Sequence, residues 1–289
     1  LREIAGKNES KYGRIVSLLS FYARELSPWK SGKKRQPHAD ALHIAYALGS
    51  LQKDRLKVQP YIDLQGTDLR NASLLHLNFD KARFSHINLS DADLSYSSLC
   101  GCEAARANFN NSTMRFADAE SANFHLTKAR NADWSNSRFQ QSVFKYGSWE
   151  GSDLRNSRFD DAIIEGKCFQ NANLFKASMA RINTVNASFS RANLAKARLD
   201  NSVLSRAQFK EANLRKASLN QADLTNAVFL NADLRGADLT GANLTGADFK
   251  GADLRGVKGL TQRMLDKMKI NGATKLDKNW RPPFSDDSK

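Results

Sequence analysis

Residues 232–256 read ADLRGADLTGANLTGADFKGADLRG, five consecutive copies of one five-residue word: Ala, Asp or Asn, Leu or Phe, any residue, Gly. Stepping outward by five from Leu64 to Leu254 gives 39 centres, of which 35 are Leu, Phe, Ile, Met or Trp. The exceptions are Ala104, Ala119, Ala129 and Thr184. Two residues before the centres, 34 of 39 positions hold Ala, Ser, Thr, Cys or Gly, and no insertion breaks the register. On an α-helix a step of five rotates side chains by about 140°, winding the centres around every face. On a flat strand the same step flips them to the opposite face. Burying every centre therefore requires a backbone that turns once per five residues, with the small residue and the large one both inside. Asp, Asn, Gly, Ser, Arg and Lys take the outward corners, where turn-forming residues belong.

A second period lies above the first. Every fourth centre from 109 gives Phe109, Ala129, Trp149, Phe169, Phe189, Phe209, Phe229 and Phe249, seven of the eight aromatic. A column of like residues every 20 positions implies four repeats per coil and about ten stacked coils. The predicted core ladder is this column. The word, as in Ala222-Asp223-Leu224 and Ala242-Asn243-Leu244, resembles the pentapeptide repeat family. That resemblance implies an all-β solenoid, a right-handed quadrilateral β-helix with centre and small residue inside.

Three regions follow from the pattern: a helical cap and linker over 1–60, the repeats over 61–256, and a capping helix with a tail over 257–289. A stack of coils has open edges, and edges invite polymerisation unless covered. Residues 10–26 place Ile15, Leu18, Leu19, Tyr22 and Leu26 at helical spacing, and 38–51 repeat the pattern through Leu42, Ala45, Leu48 and Leu51. Between them runs the basic connector SPWKSGKKRQP, 27–37, read as a solvated linker, with GKKR (32–35) the alternative contact for anionic lipid or nucleic acid. After Gly259 a short helix is expected from Thr261. The elements FYAREL and GLTQRMLDKM resemble a bacterial subgroup of the family in which a helical segment precedes the repeats and a GLTQ helix follows them. Some of that subgroup carry upstream membrane helices, which fits a chain that starts abruptly at Leu1.

Composition bounds the function. The net charge is +14, unevenly spread: 12 basic against 5 acidic residues in 1–60, 24 against 21 in 61–256, and 8 against 4 in 257–289. No run of 18 apolar residues spans a membrane and no signal peptide is visible. The expected location is the cytoplasm, with membrane association left to residues upstream of Leu1. Cys100, Cys102 and Cys168 make neither a disulfide framework nor a metal site, and the five histidines have no ligand spacing. No nucleophile elbow, zinc helix, phosphate-binding loop or dinucleotide fingerprint occurs. The expectation is no enzyme, no metal, no cofactor and no small-molecule substrate.

The outward columns carry the remaining information. One face runs from Leu75, His76, Tyr96, Arg115 and Phe116 to Arg155, Phe175, Lys176, Lys196, Arg215, Lys216, Arg235 and Arg255, aromatic first and basic later, with Asp133, Asp153, Asp233 and Asp253 at its other outward position partly neutralising it. The neighbouring face carries Asp80, Glu120, Asp160, Asp161 and Asp200. Leu126, Val143, Tyr146 and Ile163 form a second outward apolar set, near Lys167, which falls at a small inward position and requires a local distortion. The leading expectation is a non-catalytic, rod-like scaffold for a protein partner, monomeric or an end-to-end dimer, tethered to a membrane where an upstream segment supplies an anchor. The alternative is a binder of nucleic acid or anionic lipid through the basic face. A third reading, which the family resemblance implies, is a topoisomerase-binding mimic of DNA; it needs an acidic surface that the near-neutral repeats do not offer.

Overall fold

The computed structural model describes residues 9–28, 39–51 and 61–280. The basic connector from 29, with its GKKR run, and the Pro-containing tail from 281 lie outside them. The chain falls into two compact units, Leu1–Ser148 and Trp149–Lys289.

Both units are built by one local rule. All centres from 64 to 254 are buried. The small positions are buried too, except Gly147, half-exposed, and Lys167, exposed where the backbone leaves the regular turn. Two residues after every centre, from Gly66 to Gly256, the backbone takes positive φ between 54° and 84°. Most turns are closed by a bond across four residues, such as the Ala72 N–H to the Leu69 carbonyl at 3.2 Å, the geometry of a type II turn with its third residue left-handed. The Asp or Asn before the centre locks the turn. Its carboxylate or amide oxygen accepts the N–H two residues on, as Asp93 does from Ser95 (2.9 Å) and Asp238 from Thr240 (3.0 Å).

Coils pair in parallel 20 residues apart, as in Asp63↔Arg83 and Asp93↔Thr113 of the first unit and Asp153↔Asn173 and Asp233↔Asp253 of the second. Four turns per coil follow directly. The first unit contains strand β1 (Val143–Lys145); in the second, β2 (Ile163–Glu165) pairs with β3 (Asn183–Val185), Ile164 opposite Thr184.

The interiors differ. In the second unit the aromatic column is a ring stack: Trp149–Phe169 and Phe169–Phe189 centroids are 5.8 Å apart, Phe189–Phe209 5.2 Å, Phe209–Phe229 4.8 Å and Phe229–Phe249 4.5 Å. The last four pairs lie within 9° of parallel. In the first unit Phe109 belongs to a mixed cluster. Trp134 reaches Phe109 and Phe124 at 5.4 Å and Phe139 at 5.5 Å, and its indole N–H bonds the Ser112 hydroxyl. Large rings there offset the small centres Ala104, Ala119 and Ala129, keeping the interior filled.

Helix α1 (Glu9–Leu26) and helix α2 (Ala39–Leu51) close the first coils. Asp63 is held by the Ser20 hydroxyl, which accepts its N–H at 3.1 Å, and by Arg24 at 2.6 Å. Ser27 and Asp68 exchange bonds, and the Asn78 N–H reaches the Gly49 carbonyl at 3.0 Å. The packed face of α1 is Val16, Ser20 and Ala23, whereas Leu18 (54% exposed), Tyr22 (48%) and Leu26 (36%) point outward. Small side chains let helix and coil backbones approach closely enough to bond, which the larger apolar residues would prevent.

In the second unit the ladder continues beyond the repeats. Lys258, Lys269 and Lys275 pair with Asp238, Asp248 and Asp253. Thr261 caps helix α3 (Gln262–Leu265), its hydroxyl accepting the Met264 N–H, while Leu260, Leu265 and Met268 are buried. Residues 258–275 thus form an irregular closing coil that satisfies the backbone edge.

Candidate interaction faces

Every corner residue occupies the left-handed position, so corner side chains on successive coils project in register about 4.8 Å apart. In the first unit this stacks His76, Tyr96 and Phe116: centroids are 4.8 and 5.2 Å apart, with ring planes 12° and 9° from parallel. Tyr96 is 53% and Phe116 51% exposed. Leu75 lies half-exposed beside them. A large ring at positive φ is uncommon because its Cβ crowds the backbone. Three in one column give the first unit an outward aromatic ladder that no described residue covers. Arg115 borders the ladder, clamped on Asp133 by its Nε at 2.6 Å. Burial pushes the Asp133 carboxyl up, but Arg115 and Ser135 hold it below its usual range.

In the second unit Arg155, Arg235 and Arg255 each grip the carboxylate two residues earlier, Asp153, Asp233 and Asp253, with Nε and Nη2 at 2.6–2.9 Å. This part of the basic face is therefore largely neutralised. The Arg235 guanidinium beside Asp233, and Arg255 beside Asp253, hold both carboxyls below the ordinary 3.8. A carboxylate depressed in the folded state contributes stability above its unfolded value and loses it as pH falls through the depressed one. In an NMR titration Asp233 and Asp253 are accordingly expected to protonate below pH 3.8, and Arg235→Gln to raise the Asp233 midpoint. Phe175 is half-exposed, with the Lys176 and Lys196 ammonium groups 5.4 and 5.7 Å from its ring centroid. Lys176, Lys196, Arg215 and Lys216 are exposed.

The acidic column is a brace more than a surface. Asp80 accepts the Ser98 hydroxyl and the Cys100 N–H; Asp160 accepts Ser178 and Ala180; Asp200 accepts Ser218 and Asn220. Asp161 is paired with Arg181 at 2.7 Å, and Glu120 with Arg138 at 3.0 Å. The second apolar set is placed more loosely. Tyr146 is 59% exposed, Leu126 and Val143 are half-exposed, and Ile163 belongs to the other unit. At Gly147 the wall dips into an open groove of about 370 Å³ between Leu126, Lys128, Arg130 and Tyr146.

Among the described residues no group of three His, Cys, Asp or Glu is placed to hold a metal. Burial pushes the Cys100 thiol up to about 11 and Cys102 higher still, so neither is a thiolate at neutral pH. No described helix is long and apolar enough to cross a membrane.

Sequence reasoning missed the left-handed corner, although Gly at 236, 241, 246, 251 and 256 and Asn at 71, 111, 131 and 136 were its signal. It placed Asp133, Asp153, Asp233 and Asp253 beside the arginines as partial neutralisers, but not the two-point Asp-x-Arg clamp that the last three form.

Comparison with known proteins bears on the fold. The family described as Pentapeptide repeats matches in eight copies between residues 61 and 258. No curated protein sequence matches. Among solved structures the chain is similar to HetL, a pentapeptide repeat protein involved in heterocyst differentiation regulation from the cyanobacterium Nostoc sp. strain PCC 7120, at 26% identity and TM-score 0.45 over 70% of this chain and 87% of that one. It is similar to QnrB1, a plasmid-mediated fluoroquinolone resistance protein, at 18% identity and TM-score 0.38 over 73% and 92%. It is also similar to Rfr23, a pentapeptide repeat protein of the cyanobacterium Cyanothece 51142, at 30% identity and TM-score 0.22 over 43% and 64%. With the family matched across most of its length and four buried turns in every 20-residue coil, the chain belongs to the pentapeptide repeat family of right-handed quadrilateral β-helices.

Proposed function

We propose that the protein is a non-catalytic scaffold that holds a protein partner on the outward columns of its coils, the terminal segments 1–60 and 257–289 serving to close the stack. The observation that carries this is the exposed His76–Tyr96–Phe116 ladder. Apolar rings in register on a rigid wall lose little entropy on binding and bury large area per residue. Members of the family are generally structural and non-enzymatic, and the described residues contain no catalytic constellation. The repeats hold 24 basic against 21 acidic residues, and several carboxylates brace neighbouring coils, so the surface is a poor copy of duplex DNA. Fluoroquinolone resistance, stated of QnrB1, is therefore not carried over.

The test is affinity capture from the native host with wild-type chain and with Tyr96→Ser/Phe116→Ser. The side chains are outward, so the melting temperature should move little. Proteins captured by the wild type should be lost from the variant. An unchanged set of captured proteins removes this face from the proposal.

A further inference from the structure

Three coils of the second unit break the charge pattern of their neighbours. The coils at 153–155, 233–235 and 253–255 carry the Asp-x-Arg clamp. Between the first two clamps, the carboxylate position holds Asn173, Asn193 and Asn213. These amides bond in a row, Asn193 Nδ2 to Asn173 Oδ1 at 3.0 Å and Asn213 Nδ2 to Asn193 Oδ1 at 3.1 Å. The exchange of carboxylate for amide thus removes negative charge and adds a coil-to-coil bond that two carboxylates could not make. On the same three coils the corners are Lys176, Lys196 and Lys216, joined by Arg215. All four cations are exposed, and among the described residues none has a carboxylate within salt-bridge distance.

Folding gains the amide row and the Phe175 contacts, but the lysine corners work against it. Successive coils pair Asn173↔Asn193 and Asn193↔Asn213, placing the lysine corners about 4.8 Å apart, where like charges repel. The clamp used on the flanking coils would have relieved that repulsion. Phe175 adds an apolar floor beneath the Lys176 and Lys196 ammonium groups, orienting two flexible stems outward.

We propose that Lys176, Lys196, Lys216 and Arg215 form a docking site for a short acidic segment of a protein partner. This rests on the scaffold reading and specifies the partner's chemistry. The site is bounded: three coils span about 10 Å, the length of three extended residues, and Asp153 and Asp233 stand on the coils at either end. A long polyanion running along the column would find beyond these coils only arginines already paired with Asp153 and Asp233. Four cations neutralise at most about four phosphates, so duplex DNA held here alone would bind weakly and release with modest salt. A run of three to five Asp or Glu residues fits both the length and the charge.

The test is fluorescence anisotropy on the full chain with labelled hexaglutamate, with hexaglutamine as the neutral control. Hexaglutamate should bind at least about tenfold more tightly than hexaglutamine, and its affinity should fall from low to physiological salt. Lys176→Gln/Lys196→Gln/Lys216→Gln should lose about tenfold, with melting unchanged because the side chains are exposed. Asn213→Asp keeps every lysine but builds a clamp for Arg215 on the pattern of Asp233–Arg235, and should weaken binding severalfold. Equal binding of the two peptides, or an unaffected triple variant, overturns the proposal. So does tighter binding of a single-stranded oligonucleotide through the same residues, which assigns the site to nucleic acid. Should hexaglutamate fail while the serine variants still lose captured proteins, the acidic partner falls and the scaffold stands. Peptide binding without any captured protein gives the reverse result.

Discussion

Phe209→Asp is expected to unfold the second unit at room temperature. The ring is fully buried and stacked between Phe189 and Phe229 at 5.2 and 4.8 Å, tilted by no more than 7°. Removing a buried Phe costs about 3–5 kcal/mol. Leaving a carboxylate in its place, with apolar rings above and below, adds several more. Domains commonly hold only about 5–15 kcal/mol in total, and in a stacked repeat the loss falls on the neighbouring coils. Far-UV circular dichroism and limited proteolysis should show the second unit cut and the first preserved. Phe209→Leu, which puts at this centre the residue found at Leu204 and Leu214, should cost less than about 1.5 kcal/mol. If Phe209→Asp melts like the wild type, position 209 does not face the interior.

Gly259→Ala is expected to detach the closing coil. Gly259 has φ +73°, and a Cβ there would lie 2.3 Å from Thr240 Cα and 2.4 Å from Thr240 N. That obstacle is backbone inside a paired coil and cannot rotate away. The chain turns at Gly259 to bring Leu260, Leu265 and Met268 over the end of the stack, so displacement uncovers both apolar side chains and unpaired backbone. The expected loss is about 2–4 kcal/mol, with self-association of the opened edge visible in light scattering. Gly66→Ala is the control: φ is +64° but nothing lies within 4 Å of the added Cβ, so only the left-handed strain of about 1 kcal/mol remains. Equal effects of the two substitutions would show that the Thr240 contact does not limit the fold.

The spacing of Leu and Phe was enough to read period five, four turns per coil and the aromatic column, because one local word is repeated against one geometric demand. Three features were not legible. The packed face of α1 runs through Val16, Ser20 and Ala23, since close backbone approach outweighs hydrophobic size when a helix must bond to a coil edge. Phe109 enters a mixed cluster because Ala104, Ala119 and Ala129 leave volume that Trp134 and Phe124 fill. Spacing placed Asp153, Asp233 and Asp253 on the basic face as partial neutralisers, but not the two-point grip by which Arg155, Arg235 and Arg255 fold onto them, leaving, among the described residues, the lysine corners and Arg215 as its exposed unpaired charge. In each case the deciding contact joins residues whose relation depends on side-chain direction, which spacing alone does not encode.

The most direct test of the scaffold reading is site-specific photocrosslinking in the native host. A photoreactive phenylalanine replaces Tyr96 or Phe116 and, as controls, Asn111 or Ser121, exposed corners on other columns of the same unit. A discrete protein adduct at 96 and 116, absent at 111 and 121, is the predicted result. Adducts only at the control corners, or at none of the four, would contradict it.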